Sequence, residues 1–176
     1  MTKEVKRIVL LGPESTGKTV LAEYLAGYFS TLYIPELARS YIENLDRPYS
    51  YDDVLKIAKL QIEQEKNYLK KANRFLIYDT WMIITKVWMD VVYGESPKWM
   101  AEYIKYAHID LFLLCNTDIP WYPDEVRENG GEKREELFHI YRQELEVYNK
   151  KYEIIEGTGE IRKSNALKRI NQHFGL

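Results

Sequence analysis

The segment Gly12-Pro13-Glu14-Ser15-Thr16-Gly17-Lys18-Thr19 constrains the fold more than any other stretch of this chain. It has the form G-x-x-x-x-G-K-[ST], and it lies between an apolar run, Arg7-Ile8-Val9-Leu10-Leu11, and a stretch where Val20, Leu21, Leu25 and Phe29 recur at helical spacing. Glycines let such a loop curl so that successive N–H groups point inward at phosphate oxygens, and the helix that follows adds the positive end of its dipole. Pattern and context together predict a strand, loop and helix that cradle the phosphates of a nucleoside triphosphate. Residues Gly12, Pro13, Glu14, Ser15, Thr16, Gly17, Lys18 and Thr19 would bind the nucleotide, with Lys18 on the β- and γ-phosphates and the Thr19 hydroxyl on Mg²⁺.

The rest of the chain repeats the alternation. Leu32-Tyr33-Ile34, Arg74 to Asp79, Asp110 to Cys115 and Tyr152 to Ile155 read as short strands with little internal alternation, as expected where both faces of a sheet are covered. Helical spacing predicts helices over about 36–42, 51–71, 81–92, 96–107, 135–150 and 161–174. Ser50 with Asp53 three residues later forms a capping-box start, Val54, Ile57, Ala58, Gln61, Ile62 and Glu65 trace one helical face, and Gly94 is a stop signal. The fold class predicted is α/β: one three-layer P-loop NTPase domain over 1–176, with a parallel five-stranded sheet and helices on both faces. Residues 116–134 carry two prolines, two glycines and no apolar period, so a loop or lid is expected there, the lid at about 118–135.

Composition bounds the partners. Lys plus Arg number 25 against 27 Asp plus Glu, a net charge of -2, which removes the bulk electrostatic case for a nucleic-acid or anionic-membrane binder. No apolar run approaches a membrane span and the N-terminus reads as a strand, not a signal peptide, so a cytoplasmic protein acting on a small molecule is expected. The single cysteine, Cys115, sits in an apolar strand and reads as a buried thiol in a reducing compartment. The sequence leaves the oligomeric state open.

A phosphate loop alone does not name the acceptor. Guanine-specific GTPases usually carry N-K-x-D after a late strand, where this chain has Cys115-Asn116-Thr117-Asp118. What suits 176 residues is a small-molecule kinase with acids at strand ends and an arginine-bearing lid. Glu36 follows the second strand and Asp79 ends the third, and both would face one cleft beside Lys18 if both strands flank the first. Glu36 is expected as hydroxyl acceptor or base and Asp79 as the Mg²⁺-water or substrate ligand, the two roles exchangeable. Arg39 either contacts substrate or pairs with Glu36. Among Arg127, Lys133, Arg134 and Arg142, beside a Gly130-Gly131 hinge, Arg127 and Arg134 are expected to swing onto the phosphates. Trp121 or Tyr122 could stack on a flat substrate, and Arg162 with its neighbours is the candidate adenine contact. A non-catalytic ATP-binding regulator is the reading from another class.

Several of these segments together, namely the phosphate loop, Pro35-Glu36-Leu37-Ala38-Arg39-Ser40-Tyr41, Ile57-Ala58-Lys59-Leu60-Gln61, Tyr78-Asp79-Thr80, and Asp118-Ile119-Pro120-Trp121 with Asp124 and Arg127, resemble the ribosylnicotinamide kinase domain of the NadR family, in the same order and over nearly the whole chain. The resemblance implies a nucleoside-kinase-like fold and ATP-dependent phosphorylation of the 5′-hydroxyl of nicotinamide riboside, giving nicotinamide mononucleotide for NAD synthesis. A kinase of another nucleoside or metabolite is the nearest alternative. The chain departs from the family at Trp81, where members often carry a second acid, and at Asp124-Glu125-Val126-Arg127, where they often carry Asp-Gly. The DNA-binding and nucleotidyltransferase parts of longer NadR proteins find no counterpart among these residues, so neither repression nor adenylyl transfer is expected.

Overall fold

The computed structural model describes residues 4–121 and 130–176. Five parallel strands, β1 (Lys6–Leu11), β2 (Leu32–Ile34), β3 (Phe75–Asp79), β4 (Leu111–Cys115) and β5 (Tyr152–Ile155), form one sheet in the order β2-β3-β1-β4-β5. Between them run α1 (Lys18–Tyr28), α2 (Leu37–Glu43), α3 (Tyr51–Leu69), α4 (Met82–Tyr93), α5 (Lys98–Tyr106) and α6 (Glu132–Val147), and α7 (Gly159–Phe174) follows β5.

The apolar runs of β1, β3 and β4 are buried because both of their faces are covered. Alternate residues divide the core. Val9, Leu11, Leu76, Tyr78, Phe112 and Leu114 pack with residues of α3, α4, α5 and α6, whereas Ile8, Leu10, Phe75, Ile77, Leu111 and Leu113 pack with α1 and α7. This is the predicted three-layer architecture. Cys115 is fully buried, and burial pushes its thiol pKa up. No helix among the described residues is long and apolar enough to cross a membrane.

Local signals account for most element ends. The Ser50 hydroxyl accepts from the Asp53 N–H while the Asp53 carboxylate accepts from the Ser50 N–H, completing the capping box that starts α3. Gly94 closes α4 in the left-handed conformation. Two expectations are corrected. β2 does not flank β1: it pairs with β3 alone and forms the sheet edge. Helix α6 begins at Glu132, inside the stretch expected to be loop, with Gly131 as N-cap and Glu132 and Glu135 in the first turn, where carboxylates suit the helix dipole.

Candidate active site

The phosphate loop leaves β1 at the centre of the sheet, where neighbouring strands run off to either side, the position at which open α/β sheets bind ligands. Gly12 is required there by close approach: a Cβ on it would lie 2.8 Å from the Cys115 carbonyl oxygen on the neighbouring strand. Gly17 caps α1 at φ 74, a conformation glycine adopts without steric penalty.

A loop whose amides turn inward presents its carbonyls outward, and each needs a donor. Three consecutive carbonyls are met by side chains. The Thr16 hydroxyl and Lys18 Nζ donate to Pro13 O at 2.9 and 2.7 Å. Arg134 donates from Nε to Glu14 O at 3.0 Å and from Nη2 to Ser15 O at 2.7 Å, and Nη2 also reaches Ile119 O at 2.6 Å. Arg134 is therefore not on a swinging lid. It is buried in the first turn of α6 and braces the loop from behind. Arg134→Ala should strand these carbonyls at a cost of roughly 2–3 kcal/mol and weaken nucleotide binding about ten-fold; thermal unfolding and ATP titration check both.

Asp79 ends β3, next to β1, and its Oδ2 accepts from the Thr19 hydroxyl at 2.6 Å. Burial raises the Asp79 pKa, opposed by Lys18 and by the bond from Thr19. Its other oxygen, Oδ1, and the Ser15 hydroxyl are buried without partners among the described residues. A hydroxyl and a carboxylate oxygen converging beside the phosphate loop are hard ligands of the kind Mg²⁺ takes alongside phosphate oxygens and water. Among the described residues no group of three or more His, Cys, Asp or Glu side chains could hold a metal ion.

Glu36, half-buried, is the N-cap residue of α2, and its side chain makes no capping bond. Burial raises its pKa, Lys18 lowers it, and Asp79 raises it again. The two carboxylates thus feel one another's charge, even though β2 lies a strand beyond the position supposed; Glu36 lines the cleft, and Asp79 is joined to it through Thr19. Arg39 lines the same cleft, and its Nε donates to Glu43 Oε1 at 2.9 Å. The cleft, about 370 Å³, runs from the phosphate loop past Glu36 to a recess walled by Ile42, Tyr49, Ile84, Trp88 and Val91. Tyr49 and Trp88 meet edge to face at 4.8 Å, and the Trp88 Nε1–H donates to the Tyr49 hydroxyl at 3.3 Å. Tyr141 of α6 closes the opposite side.

Sequence reasoning missed these walls. The one available signal was that Trp88 follows Ile84 by four residues on α4, one turn apart on the same face. Trp121, the expected stacking residue, does not line the cleft: its indole packs on Gly130, where a Cβ would approach the ring at 2.9 Å. Tyr122, Asp124 and Arg127 lie outside the described residues. Lys133 pairs with Glu136, and Arg142 donates to Glu146 and Tyr152. Arg162, the adenine candidate, is buried and donates to the carbonyls of Gly157, Ile155 and Asn116 while pairing with Asp118, so it ties the end of β4 to the turn after β5.

The chain is 27% identical over 157 residues to the trifunctional NAD biosynthesis/regulator protein NadR of Escherichia coli K12, an alignment covering 86% of this chain and 38% of that protein. A crystal structure of NadR protein in complex with NR superposes with a TM-score of 0.79 at 23% identity, covering 98% of this chain and 52% of the other. A second, with NAD and AMP-PNP, gives 0.75 at 21%, covering 98% and 50%. These structural likenesses show the nucleoside-kinase-like fold, and the chain spans from about a third to half the length of the relatives. The family model described as AAA domain matches residues 7–162, from the first strand through the phosphate loop to Arg162, and the chain belongs to that family.

Proposed function

We propose that this chain is an ATP- and Mg²⁺-dependent kinase acting in the cytoplasm on a nucleoside-like alcohol, with the 5′-hydroxyl of nicotinamide riboside as acceptor and nicotinamide mononucleotide as product. One observation carries the reading. Lys18, Thr19 and Glu36 meet at the mouth of a recess walled by aromatic and apolar side chains, with buried Asp79 bonded to Thr19 just behind them. That recess suits a flat heterocycle, and the resemblance to NadR proteins, one solved with NR, supplies the substrate.

The geometry supports in-line transfer. The loop amides and Lys18 hold the β- and γ-phosphates, while Tyr49 and Trp88 hold the acceptor base so that its hydroxyl faces the γ-phosphorus. Glu36 takes the hydroxyl proton as the new O–P bond forms and the bond to the β-phosphate oxygen breaks. Mg²⁺, bound by the Thr19 hydroxyl and near Asp79, would neutralise charge on the phosphates. Glu36, its pKa raised by burial, is a stronger base than a solvated carboxylate, and Arg39 adds positive charge beside it. Arg127 is the remaining candidate for charge stabilisation at the transferring group.

The test is incubation with Mg-ATP and a panel of nucleosides including nicotinamide riboside, followed by mass analysis of products. Nicotinamide mononucleotide is expected; ADP without it transfers the reading to another acceptor, and no ADP with any acceptor refutes it. Trp88→Ala should raise the acceptor KM by about 10- to 100-fold and leave the KM for ATP unchanged, which steady-state kinetics in both substrates will resolve.

A further inference from the structure

Behind the cleft lies a buried carboxylate that the proposed reaction does not use. Glu65, on the inner face of α3, is 5% exposed and surrounded by donors. Its Oε1 accepts from the Tyr78 hydroxyl at 3.2 Å and from Arg7 Nη1 at 3.3 Å. Its Oε2 accepts from the Trp81 Nε1–H at 3.3 Å and from the Tyr103 hydroxyl at 2.8 Å. Two of the four donors, Tyr78 and Trp81, stand on either side of Asp79-Thr80.

That placement has a geometric consequence. Strand alternation sends Tyr78 to the α3 face of the sheet and Asp79 to the α1 face, where Thr19 holds it. Thr80 then takes φ 73, a left-handed conformation strained for a β-branched residue, and the chain returns to the α3 face at Trp81. The Glu65 carboxylate bonds both ends of this reversal. A buried, fully donated carboxylate stabilises a fold little better than apolar packing of the same volume.

We infer that Glu65 is a positioning residue for the phosphoryl-transfer site: by gripping Tyr78 and Trp81 it holds the strained Asp79-Thr80 step and aims the Asp79 carboxylate at the metal bound with the nucleotide. The inference rests on the proposed role of Asp79 and extends it to a side chain that touches neither substrate nor metal. It also gives Trp81, where the resemblance leads one to expect a second acid, a definite task in this chain.

The test is calorimetric titration of ATP into the wild type, Glu65→Gln, Trp81→Phe and Ile104→Val, each with and without Mg²⁺. Ile104→Val thins the same core layer while leaving Glu65 and all four of its donors in place. Glu65→Gln should lose about ten-fold in the Mg²⁺-dependent part of ATP affinity, the size of effect seen when an outer-shell partner of a metal ligand is changed. Trp81→Phe, which removes one donor and keeps the ring, should lose part of it and guards against a Glu65→Gln protein that does not fold. Mg²⁺-free affinity should hold in every variant, because the phosphate loop is intact. Wild-type Mg²⁺ dependence in Glu65→Gln and Trp81→Phe overturns the inference, and so does an equal loss in Ile104→Val, which would mark a general packing effect. No acceptor is needed, so a protein that phosphorylates no nucleoside still decides the role of Glu65.

Discussion

Asp79→Asn is expected to lower kcat by about 10³-fold while ATP binding without Mg²⁺ stays within about two-fold of wild type. The charge is lost from the one carboxylate that is both buried and bonded to Thr19, so stabilisation of the transferring phosphoryl fails and phosphate binding by the loop does not. A coupled ADP assay beside a Mg²⁺-free titration separates the two effects, and near-wild-type turnover would remove Asp79 from the mechanism. Stability should move the other way. Burial raises the Asp79 pKa above its usual 3.8, so the folded chain holds that proton more tightly than the unfolded one. The resulting penalty accrues as pH rises from the usual value through the raised one. Asp79→Asn therefore should not lower the unfolding midpoint at pH 7, although it disables turnover.

Glu36→Gln should reduce kcat/KM by about 10²- to 10³-fold, the range for loss of a general base. Its signature lies in pH. Burial raises the Glu36 pKa above the usual 4.5, and the proposed base acts in its deprotonated form, so the wild-type rate should fall as pH drops through the raised value. The limb belongs to coupled groups, since Asp79 raises Glu36 further. In Glu36→Gln the Glu36 contribution to that limb disappears and the residual rate flattens. An unchanged profile would assign the proton to another acceptor.

The sequence made the strands, the phosphate loop and the capping box at Ser50 legible because each is a local pattern whose meaning does not depend on distant residues. Strand order is not of that kind. Nothing within Leu32-Tyr33-Ile34 says that β3 will lie between it and β1, and Glu36 still reaches the cleft because the loop after β2 carries it inward. Arg134 was legible as a cation near the loop but not as its brace, since that role depends on three carbonyls contributed by residues 119 and 14–15. The recess escaped notice for a related reason: Tyr49 and Trp88 come from opposite sides of α3 in sequence and acquire meaning only when their rings meet. Glu65 fell on the predicted apolar face of α3, a local contradiction that its four donors resolve.

The edge position of β2 has a consequence for how such a protein diversifies. The phosphate loop is anchored on the strand with a neighbour on each side, and substitutions there disturb the sheet centre. The wall bearing Glu36 hangs from a three-residue strand with one neighbour, and it continues into α2, none of whose residues is fully buried. Under the proposed kinase function, donor chemistry is thus tied to the least replaceable part of the molecule and this acceptor wall to the most replaceable. Residues such as Ala38 and Ile42 can be exchanged to admit a differently shaped alcohol at small cost in folding stability, which makes α2 the place to begin when redirecting this scaffold to new acceptors.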